Sequence, residues 1–255
     1  MFLSKTFCWG ANAKDDSISS KWFWYDESNL IIQESTILDT LKQNHLKCFI
    51  KKATESYGGK GVYYFDSSQD DLSVFIDIIH SVQGDLVVQK GIEQCETLAL
   101  IHDTSVNSIR HMSILYRDGK VKVLSSILRM GVGGAKVDNA SSGGITVGIE
   151  SNGRLKAVAY SSLGVKYLEH PTSHVNFDTI VIPNYQETIE LVRRLHPQFP
   201  HFRLISWDIT LNKDNKPVLI EANLCDGELD FHQLNNGPIF KEETEDILSE
   251  VFIKK

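Results

Sequence analysis

The sequence predicts an α+β protein built around a large antiparallel sheet. Two stretches have the pattern of β-hairpins, because alternating apolar residues flank Asp118-Gly119 in one and Asn152-Gly153 in the other. Both dipeptides favour tight primed turns. A further strand pair, LISWDITL and KPVLIEANL, is joined by the polar turn NKDN. Helical patterns precede and follow these strands, which favours two small α+β lobes.

Residues 1–45 form a polar, aromatic-rich lead-in. Its last part, Ile32 to Leu46, has apolar residues at helical spacing. The segment KWFWYDE at 21–27 is rich in aromatic residues, and we expect it to pack under the sheet. A platform that stacks on sugars and a contact with a partner protein are the alternatives.

Two lobes follow the lead-in. The small lobe, residues 46–100, is predicted to contain the strands KCFIKK, GVYYF and Asp85–Gln89 and an amphipathic helix at Asp70–Val82. The large lobe, residues 101–255, contains the hairpins, a helix at Tyr185–Leu195 and a last helix from about Glu242. No repeat or low-complexity tract interrupts this order.

Composition excludes several functional classes. The net charge is −7 and no block of Lys or Arg occurs, so we expect no nucleic acid as the main partner. Apolar runs fall far short of the roughly 18–20 residues of a membrane span, and no basic leader precedes a sustained apolar stretch. We therefore expect a cytoplasmic protein. The cysteines are too far apart for a zinc pair or a dense disulfide framework and are expected to be free thiols; they are Cys8, Cys48, Cys95 and Cys225.

The most informative segment is WDITLNKDNKPVLIEANL. Glu221 and Asn223 share one face of a strand, and the hairpin places Asp208 beside them. Two carboxylates and an amide oxygen suit Mg²⁺, which takes few protein ligands and leaves positions for water and phosphates. The alternative is an ordinary solvated hairpin. Against it, Glu221 and Asn223 interrupt an apolar run, where an unpaired charge is costly.

A second candidate site is the glycine-rich turn in FIKKATESYGGKGVYYF. Gly58, Gly59 and Gly61 permit backbone N–H groups to approach an anion, and Lys51 or Lys60 supplies positive charge to phosphates. The order of residues is not that of a P-loop, and a strand rather than a helix follows. A purely structural hairpin turn is the alternative.

The order of these segments from about residue 46 to 240 resembles the ATP-grasp superfamily, and within it the sugar-transfer-associated and glutamate-ligase-like branches. The resemblance implies a nucleotide clamped between two α+β lobes. It assigns Lys51 to phosphate and adenine, and the loop from Tyr57 to Gly61 to a flap over the phosphates. The run VVQKGI resembles the adenine hinge, with Gln89, Lys90 and Ile92 in place, and Glu96 matches the acid that binds the ribose. Gln89 departs from the usual acidic residue, which leaves base preference open.

The same resemblance extends through the large lobe. The stretch SVNSIRHMS and the residues after it match substrate and phosphate strands, so Arg110 and Arg129 are implied to bind anionic groups. Asn139, with Gly143-Gly144, matches the loop beside the transferred phosphoryl group. Asp208, Glu221 and Asn223 match the metal triad. Asp226 departs from the proline that relatives carry at its position.

The function implied is an ATP-dependent carboxylate–amine ligase that forms an acyl phosphate, with Mg²⁺ as cofactor and Mn²⁺ as the alternative ion. The branch points to an amino acid or amine joined to a sugar acid in surface-polysaccharide biosynthesis. The alternative is the ATP-binding module of a split enzyme or a non-catalytic nucleotide-binding protein. Only about 45 residues precede the first phosphate-binding strand, so either they suffice, a homodimer or partner protein completes the acceptor site, or activity is impaired. His170 and His174 are expected to be solvated surface residues.

Overall fold

The chain forms two compact units, Met1–Glu93 and Gln94–Lys255. The computed structural model describes residues 6–11, 22–25, 30–52, 61–82, 84–138, 143–225 and 227–252. Every strand pair among these residues is antiparallel. The predicted α+β class with dominant antiparallel sheet is confirmed.

The first unit is a six-stranded sheet with two helices on one face. Its strands are β1 (Thr6–Ala11), β2 (Trp22–Tyr25), β3 (Ile31–Ile32), β4 (Lys47–Lys52), β5 (Val62–Asp66) and β6 (Leu86–Lys90), in the spatial order β3-β2-β1-β6-β4-β5. The helices are α1 (Glu34–Asn44) and α2 (Leu72–Ser81). Asp71 caps α2 by accepting a hydrogen bond from the Ser73 backbone N–H at 2.8 Å. The core joins Ile37 and Phe75 of the helices to Ile50 and Val88 of the strands.

The lead-in is part of this sheet, which differs from the division expected from the sequence. Cys8 of β1 lies opposite Val87 of β6, so the first strands extend the sheet of the small lobe. Trp24 of β2 is buried in its core, as expected of packing under the sheet. The predicted boundaries 1–45, 46–100 and 101–255 therefore differ from the observed units.

The boundary between the units lies before α3 (Glu96–Ile101) rather than after it. The Cys95 backbone N–H donates to the Leu211 carbonyl at 2.9 Å. Leu98 and Ile101 of α3 are fully buried in the core of the second unit. These contacts explain why α3 belongs to the larger unit.

The second unit is a seven-stranded sheet with a helix on each face. Its strands are β7 (Ser108–Leu115), β8 (Val121–Met130), β9 (Ile145–Ile149), β10 (Leu155–Ser161), β11 (Lys166–Tyr167), β12 (Leu204–Leu211) and β13 (Pro217–Asn223), in the order β11-β10-β9-β8-β7-β12-β13. The helices after α3 are α4 (Tyr185–Leu195), α5 (Leu229–Asn236) and α6 (Thr244–Val251). Thr188 of α4 bonds to His111, and His232 of α5 bonds to Ser125. Since His111 and Ser125 belong to opposite faces by strand alternation, α4 and α5 cover opposite faces.

The hairpin turns differ in type from the prediction. Gly119 has φ +86 and donates to the Tyr116 carbonyl, while Asp118 does not have positive φ. Gly153 has the same φ and bonds to Glu150 in the same way. Both primed two-residue turns need positive φ at the first central residue, whereas these are three-residue loops that end in a left-handed glycine. The dipeptides locate the turns correctly, but the glycine provides a bulge rather than half of a primed turn.

Two expectations from composition concern membranes and thiols. Among the described residues, none of the helices has the length and apolar character that crossing a membrane requires. Cys48, Cys95 and Cys225 are free thiols, the first two buried and the third exposed. Burial, with the negative charge of Asp66, raises the pKa of Cys48 to about 12.

Candidate functional site

Three neighbouring strands of the second unit bring two arginines and an aspartate together. Arg110 on β7 lies directly opposite Asp208 on β12, and Ser108 on β7 lies opposite Arg129 on β8. Residues two apart on a strand share a face, and so do directly opposed residues. Arg110, Arg129 and Asp208 therefore project from one face of the sheet, which we call the charged face.

The two guanidinium groups share one carboxylate. Arg110 donates from Nε to Asp208 Oδ1 and from Nη2 to Oδ2, both at 2.7 Å. Arg129 donates from Nη1 to Asp208 Oδ2 at 2.9 Å. The three side chains are 4% to 5% exposed. Because a buried charge is tolerated only when it is paired, this geometry fixes all three side chains.

The pKa of Asp208 reflects these neighbours. Burial alone would raise the pKa of the carboxyl group, but hydrogen bonds and charge from Arg110, with the charge of Arg129, hold the pKa below its ordinary value. Burial likewise acts to lower the pKa of Arg110, but Asp208 raises it above the ordinary arginine value. Asp208 and Arg110 are therefore both ionised at neutral pH.

Acidic side chains surround the arginines. Arg110 Nη1 donates to Glu228 Oε2, and Arg129 Nη2 lies 3.8 Å from Asp138 Oδ1. The Asp138 carboxylate also accepts from the backbone N–H of Ser108 at 3.2 Å and from its hydroxyl. With Asp208 and Glu221, the cluster contains four acids against two arginines. Its formal excess of negative charge favours a cation over an additional free anion.

The residues predicted as a metal triad lie side by side. Asp208 is directly opposite Glu221, and Asn223 Nδ2 donates to Asp208 Oδ2 at 3.4 Å. Glu221 is exposed, and among the described residues its carboxylate has no hydrogen-bond or ion-pair partner. The described residues include no cluster of three or more His, Cys, Asp or Glu side chains arranged for a metal. The oxygen donors and the excess negative charge fit Mg²⁺ at Glu221 and Asn223. Asp208 fits less directly, because guanidinium groups occupy both of its oxygens.

The candidate nucleotide residues of the first unit lie on neighbouring strands. Lys51 of β4 and Gln89 of β6 share the half-buried sheet face that is turned away from α1 and α2, since Phe49 lies opposite Gln89. Lys90 and Ile92 follow at the end of β6, and Lys90 is exposed. Gly61 adopts φ +74, which a glycine allows at low cost. Gly58, Gly59 and Lys60 lie outside the described residues. These assignments stay predictions.

The other predicted residues lie in the second unit. Glu96 is exposed at the first position of α3. Asn139 lies outside the described residues, and Gly143 beyond it has φ +87. The roles assigned to Glu96 and Asn139 stay predictions.

His170 corrects one expectation. The sequence placed His170 and His174 on the solvated surface, and His174 is exposed, but His170 is fully buried. Its Nε2 donates to the Gly131 carbonyl at 2.8 Å. Thr172, two residues on, accepts from the Gly133 backbone N–H at 2.7 Å. These contacts fix the glycine-containing loop that follows β8. The segment with His170 and Thr172 therefore has a structural role in supporting that loop.

His232 is a buried imidazole next to the charged face that the sequence did not single out. Its Nδ1 lies 2.9 Å from Ser125 Oγ, and its Nε2 has no partner among the described residues. Burial and the positive charge of Arg110 lower the pKa of His232 to about 3. The imidazole is therefore neutral under physiological conditions.

Ser108 and Glu228 are also part of the cluster. Ser108 could have been found from its position two residues before Arg110, which places both side chains on one face. Glu228 has no such signal, because its contact with Arg110 depends on an irregular segment after β13, where Glu228 adopts φ 55.

Comparisons with known proteins identify the family. A search among curated proteins finds no match. Similar solved structures include D-alanyl-alanine synthetase A from Vibrio cholerae O1 biovar eltor (14% identity, TM-score 0.47, covering 85% of this chain and 55% of that one). They also include N5-carboxyaminoimidazole synthetase from Staphylococcus aureus with ADP (10%, TM-score 0.44, 75% and 38%).

The chain thus spans about half or less of the length of these structures. The model of the sugar-transfer-associated ATP-grasp family, in contrast, matches residues 20–248, nearly the whole chain. The resemblance drawn from the sequence motifs is confirmed by this match. The chain belongs to the sugar-transfer-associated ATP-grasp family.

Proposed function

We propose that the protein is an ATP-dependent carboxylate–amine ligase that activates a carboxylate as an acyl phosphate. The finer part of the proposal is that it joins an amino acid or amine to a sugar acid in surface-polysaccharide biosynthesis. Family membership supports the ATP-dependent class, and the family's description supports a sugar-containing substrate. The observation that carries the proposal is the buried cluster of two arginines around Asp208 on three adjacent strands.

The two arginines are proposed to have different roles. All three nitrogens of the Arg110 guanidinium group donate to Asp208 or Glu228, so Arg110 acts as a positioning residue that fixes Asp208. Arg129 donates from Nη1 to the same Asp208 carboxylate, and its Nη2 lies 3.8 Å from Asp138 Oδ1. We assign Arg129 to the anionic oxygens of the reacting groups, where a guanidinium stabilises charge that develops in the transition state.

Glu221 and Asn223 are proposed to hold Mg²⁺, with Asp208 beside them. The bound ion would neutralise phosphate charge during phosphoryl transfer. The protein supplies the side-chain oxygens of Glu221 and Asn223, which are already positioned on one face of the sheet. Asp208 keeps that set in place because its carboxylate joins the arginines to Asn223.

The deciding experiment measures ADP production while uronic acids and amines are supplied in pairs. A ligase produces ADP only when a carboxylate and an amine that it accepts are both present. A nucleotide-binding module would show no stimulation by any pair. Any native partner protein should be included, so that an acceptor site completed by a second chain is tested as well.

Arg129→Ala sharpens this experiment. We expect a reduction of roughly 10² or more in pair-dependent ADP production, corresponding to about 2.7 kcal/mol, because the lost interaction is strongest in the transition state. Arg194→Ala on the exposed side of α4 is the matched control and should keep wild-type activity. Equal activity in the two variants would contradict the role assigned to Arg129.

A further inference from the structure

A cavity lies in the larger unit beside the first half of β8. It is open to solvent on one side, has a volume of about 460 Å³ and is lined by β8, the β9–β10 hairpin, α4 and the segment after α5. This volume is within the range of ligand pockets, roughly 300–1,000 Å³. The residues of the candidate site do not line it; those residues are Arg110, Arg129, Asp208, Glu221 and Asn223.

The cavity exists because two hairpins diverge. β8 pairs with β7 from Val121 to Arg129, but it pairs with β9 only from Ile127 to Met130. The first half of β8 therefore has no β9 strand beside it. Side chains of α4 and of Asn236–Lys241 enclose this gap instead of a further strand.

The charge lining the cavity is opposite to that of the whole chain. Lys156, Arg193 and Lys241 line it together with one acid, Glu150. The lining thus has a formal excess of two positive charges in a chain whose net charge is −7. Arg193 also pairs with Glu190 on the exposed surface of α4 at 2.7 Å. Lys156 and Lys241 form no ion pair among the described residues.

The two lysines line the same cavity, Lys156 half-buried and Lys241 exposed. Lys156 is half-buried, and its Nζ donates to the Asn235 carbonyl at 2.9 Å. Burial and the positive charge of Lys241 lower the pKa of Lys156. Lys241 adopts φ 42, a left-handed conformation that is costly for a lysine. Two lysines that line one cavity suit an anion that would offset their like charges.

The rest of the lining indicates what the anion carries. Ser151 and Asn236 supply a hydroxyl and an amide, and Ile189 and Ile239 supply apolar surface. Ligand pockets generally combine apolar surface with a few polar groups that fix orientation, and a hydroxyl and an amide can bond to the hydroxyl groups of a polyol. The cavity is much larger than a bare phosphate needs.

We propose that this cavity binds the phosphate monoester of a small polyol such as a sugar, with Lys156, Lys241 and Arg193 around the phosphate. The site is independent of the proposed ligase chemistry. Its occupant is either a second substrate-like ligand or an effector, and both share the same recognition by cations at one end and hydroxyl contacts at the other.

Isothermal titration of the full chain with glucose 1-phosphate tests the proposal. ADP and Mg²⁺ are kept present throughout, so that a nucleotide site elsewhere is filled. We expect glucose 1-phosphate to bind, glucose not to bind, and inorganic phosphate to bind more weakly. Binding should weaken as salt rises, because the attraction is between charges.

Lys241→Gly and Lys156→Gln separate a binding role from a structural one. Glycine accepts the left-handed conformation at position 241, so Lys241→Gly removes the charge and should fold at least as well as the wild type. Each variant should bind glucose 1-phosphate about tenfold more weakly or worse, since one charged hydrogen bond is lost. Lys216→Gln, on the surface near Glu187, is the control and should bind as the wild type does.

Two results would overturn the proposal. One is a folded wild-type protein that binds neither glucose 1-phosphate nor inorganic phosphate. The other is undiminished binding of glucose 1-phosphate in folded Lys241→Gly, which would place the ligand elsewhere. If inorganic phosphate and glucose 1-phosphate bound with equal affinity, the cavity would be an anion site, but the proposed recognition of the polyol would be refuted.

Discussion

The two faces of the seven-stranded sheet bury polar side chains in opposite ways. Arg110 and His111 are neighbours on β7, and both are buried. Arg110 projects into the charged face, where ionised groups neutralise one another. His111 projects into the other face, which we call the histidine face, and bonds to Ser126 Oγ at 2.7 Å and Thr188 Oγ1 at 2.8 Å.

A second imidazole extends the histidine face. His196 Nδ1 lies 2.7 Å from Ser113 Oγ, which also accepts a hydrogen bond from Trp207 Nε1 at 2.8 Å. Burial lowers the pKa of His111 to about 3 and also lowers the pKa of His196. The comparison shows that one sheet can bury polar groups as ion pairs on its candidate reactive face and as neutral hydrogen-bonded networks on its packing face.

The largest expected effect is on the charged face. Asp208→Asn leaves two buried guanidinium groups without their carboxylate, so we expect the free energy of unfolding to fall by about 3–5 kcal/mol. Denaturant titration measures this loss. The spacing of the metal triad alone would predict lost activity with an intact fold, but the contacts of Asp208 add a structural role. An unchanged midpoint and slope would refute that role.

The next effect depends on pH and comes from buried histidines, those of the histidine face and His232, whose pKa is also lowered. The folded-state pKa values of His111 and His196 lie below their unfolded values, so the unfolded chain binds more protons in acid. Their stabilising contribution is complete above about pH 6.5 and declines as the pH falls below it, by about 1.4 kcal/mol per pH unit for each fully neutral histidine. Asp208 titrates below its ordinary pKa and does not affect this window.

Unfolding free energies at about pH 5, 6 and 7 check this dependence. His111→Asn should reduce the slope, because one titrating group is removed. His174→Asn, at an exposed position, is the matched control and should leave the slope unchanged. A wild-type stability that does not change over this range would contradict the neutral network.

A smaller effect is expected at the edge of the charged face. Glu228 pairs with Arg110, but its side chain is 36% exposed. Water therefore screens the pair, and Glu228→Gln should lower the unfolding free energy by less than about 1 kcal/mol. A loss as large as that of Asp208→Asn would show that the two acids contribute equally to holding Arg110.

The sequence predicts local pairing well and distant pairing poorly. The contact between Asp208 and Glu221 could be predicted, because both lie on strands joined by a short polar turn. The contact between Arg110 and Asp208 could not be derived from pattern alone. It depends on pairing of β7 with β12, whose residues are 98 positions apart, and no alternation within either strand specifies that partner.

The sequence pattern did not predict two other features, and the physical reason differs between them. Cys8 lies on β1 in the polar lead-in, and this strand joins the sheet only by pairing with β6, about 80 positions later. His170 lies in a segment rich in polar residues, HPTSH, which resembles a surface loop. Its burial is possible because the Gly131 carbonyl and neighbouring groups bond to both ring nitrogens. Tertiary partners of this kind leave no periodic signal in the sequence.

Glu221→Gln provides the most direct test of the proposed metal site and of its role in the reaction. Glu221 is exposed and lacks a partner among the described residues, so its substitution should change the unfolding free energy by no more than about 0.5 kcal/mol. The variant should nevertheless lose ADP production that depends on a carboxylate and an amine, because a proposed metal ligand is gone. Glu245→Gln on α6 is the matched control and should retain wild-type activity. Near-wild-type turnover of folded Glu221→Gln at saturating Mg²⁺ would contradict the assignment of this hairpin to the reaction.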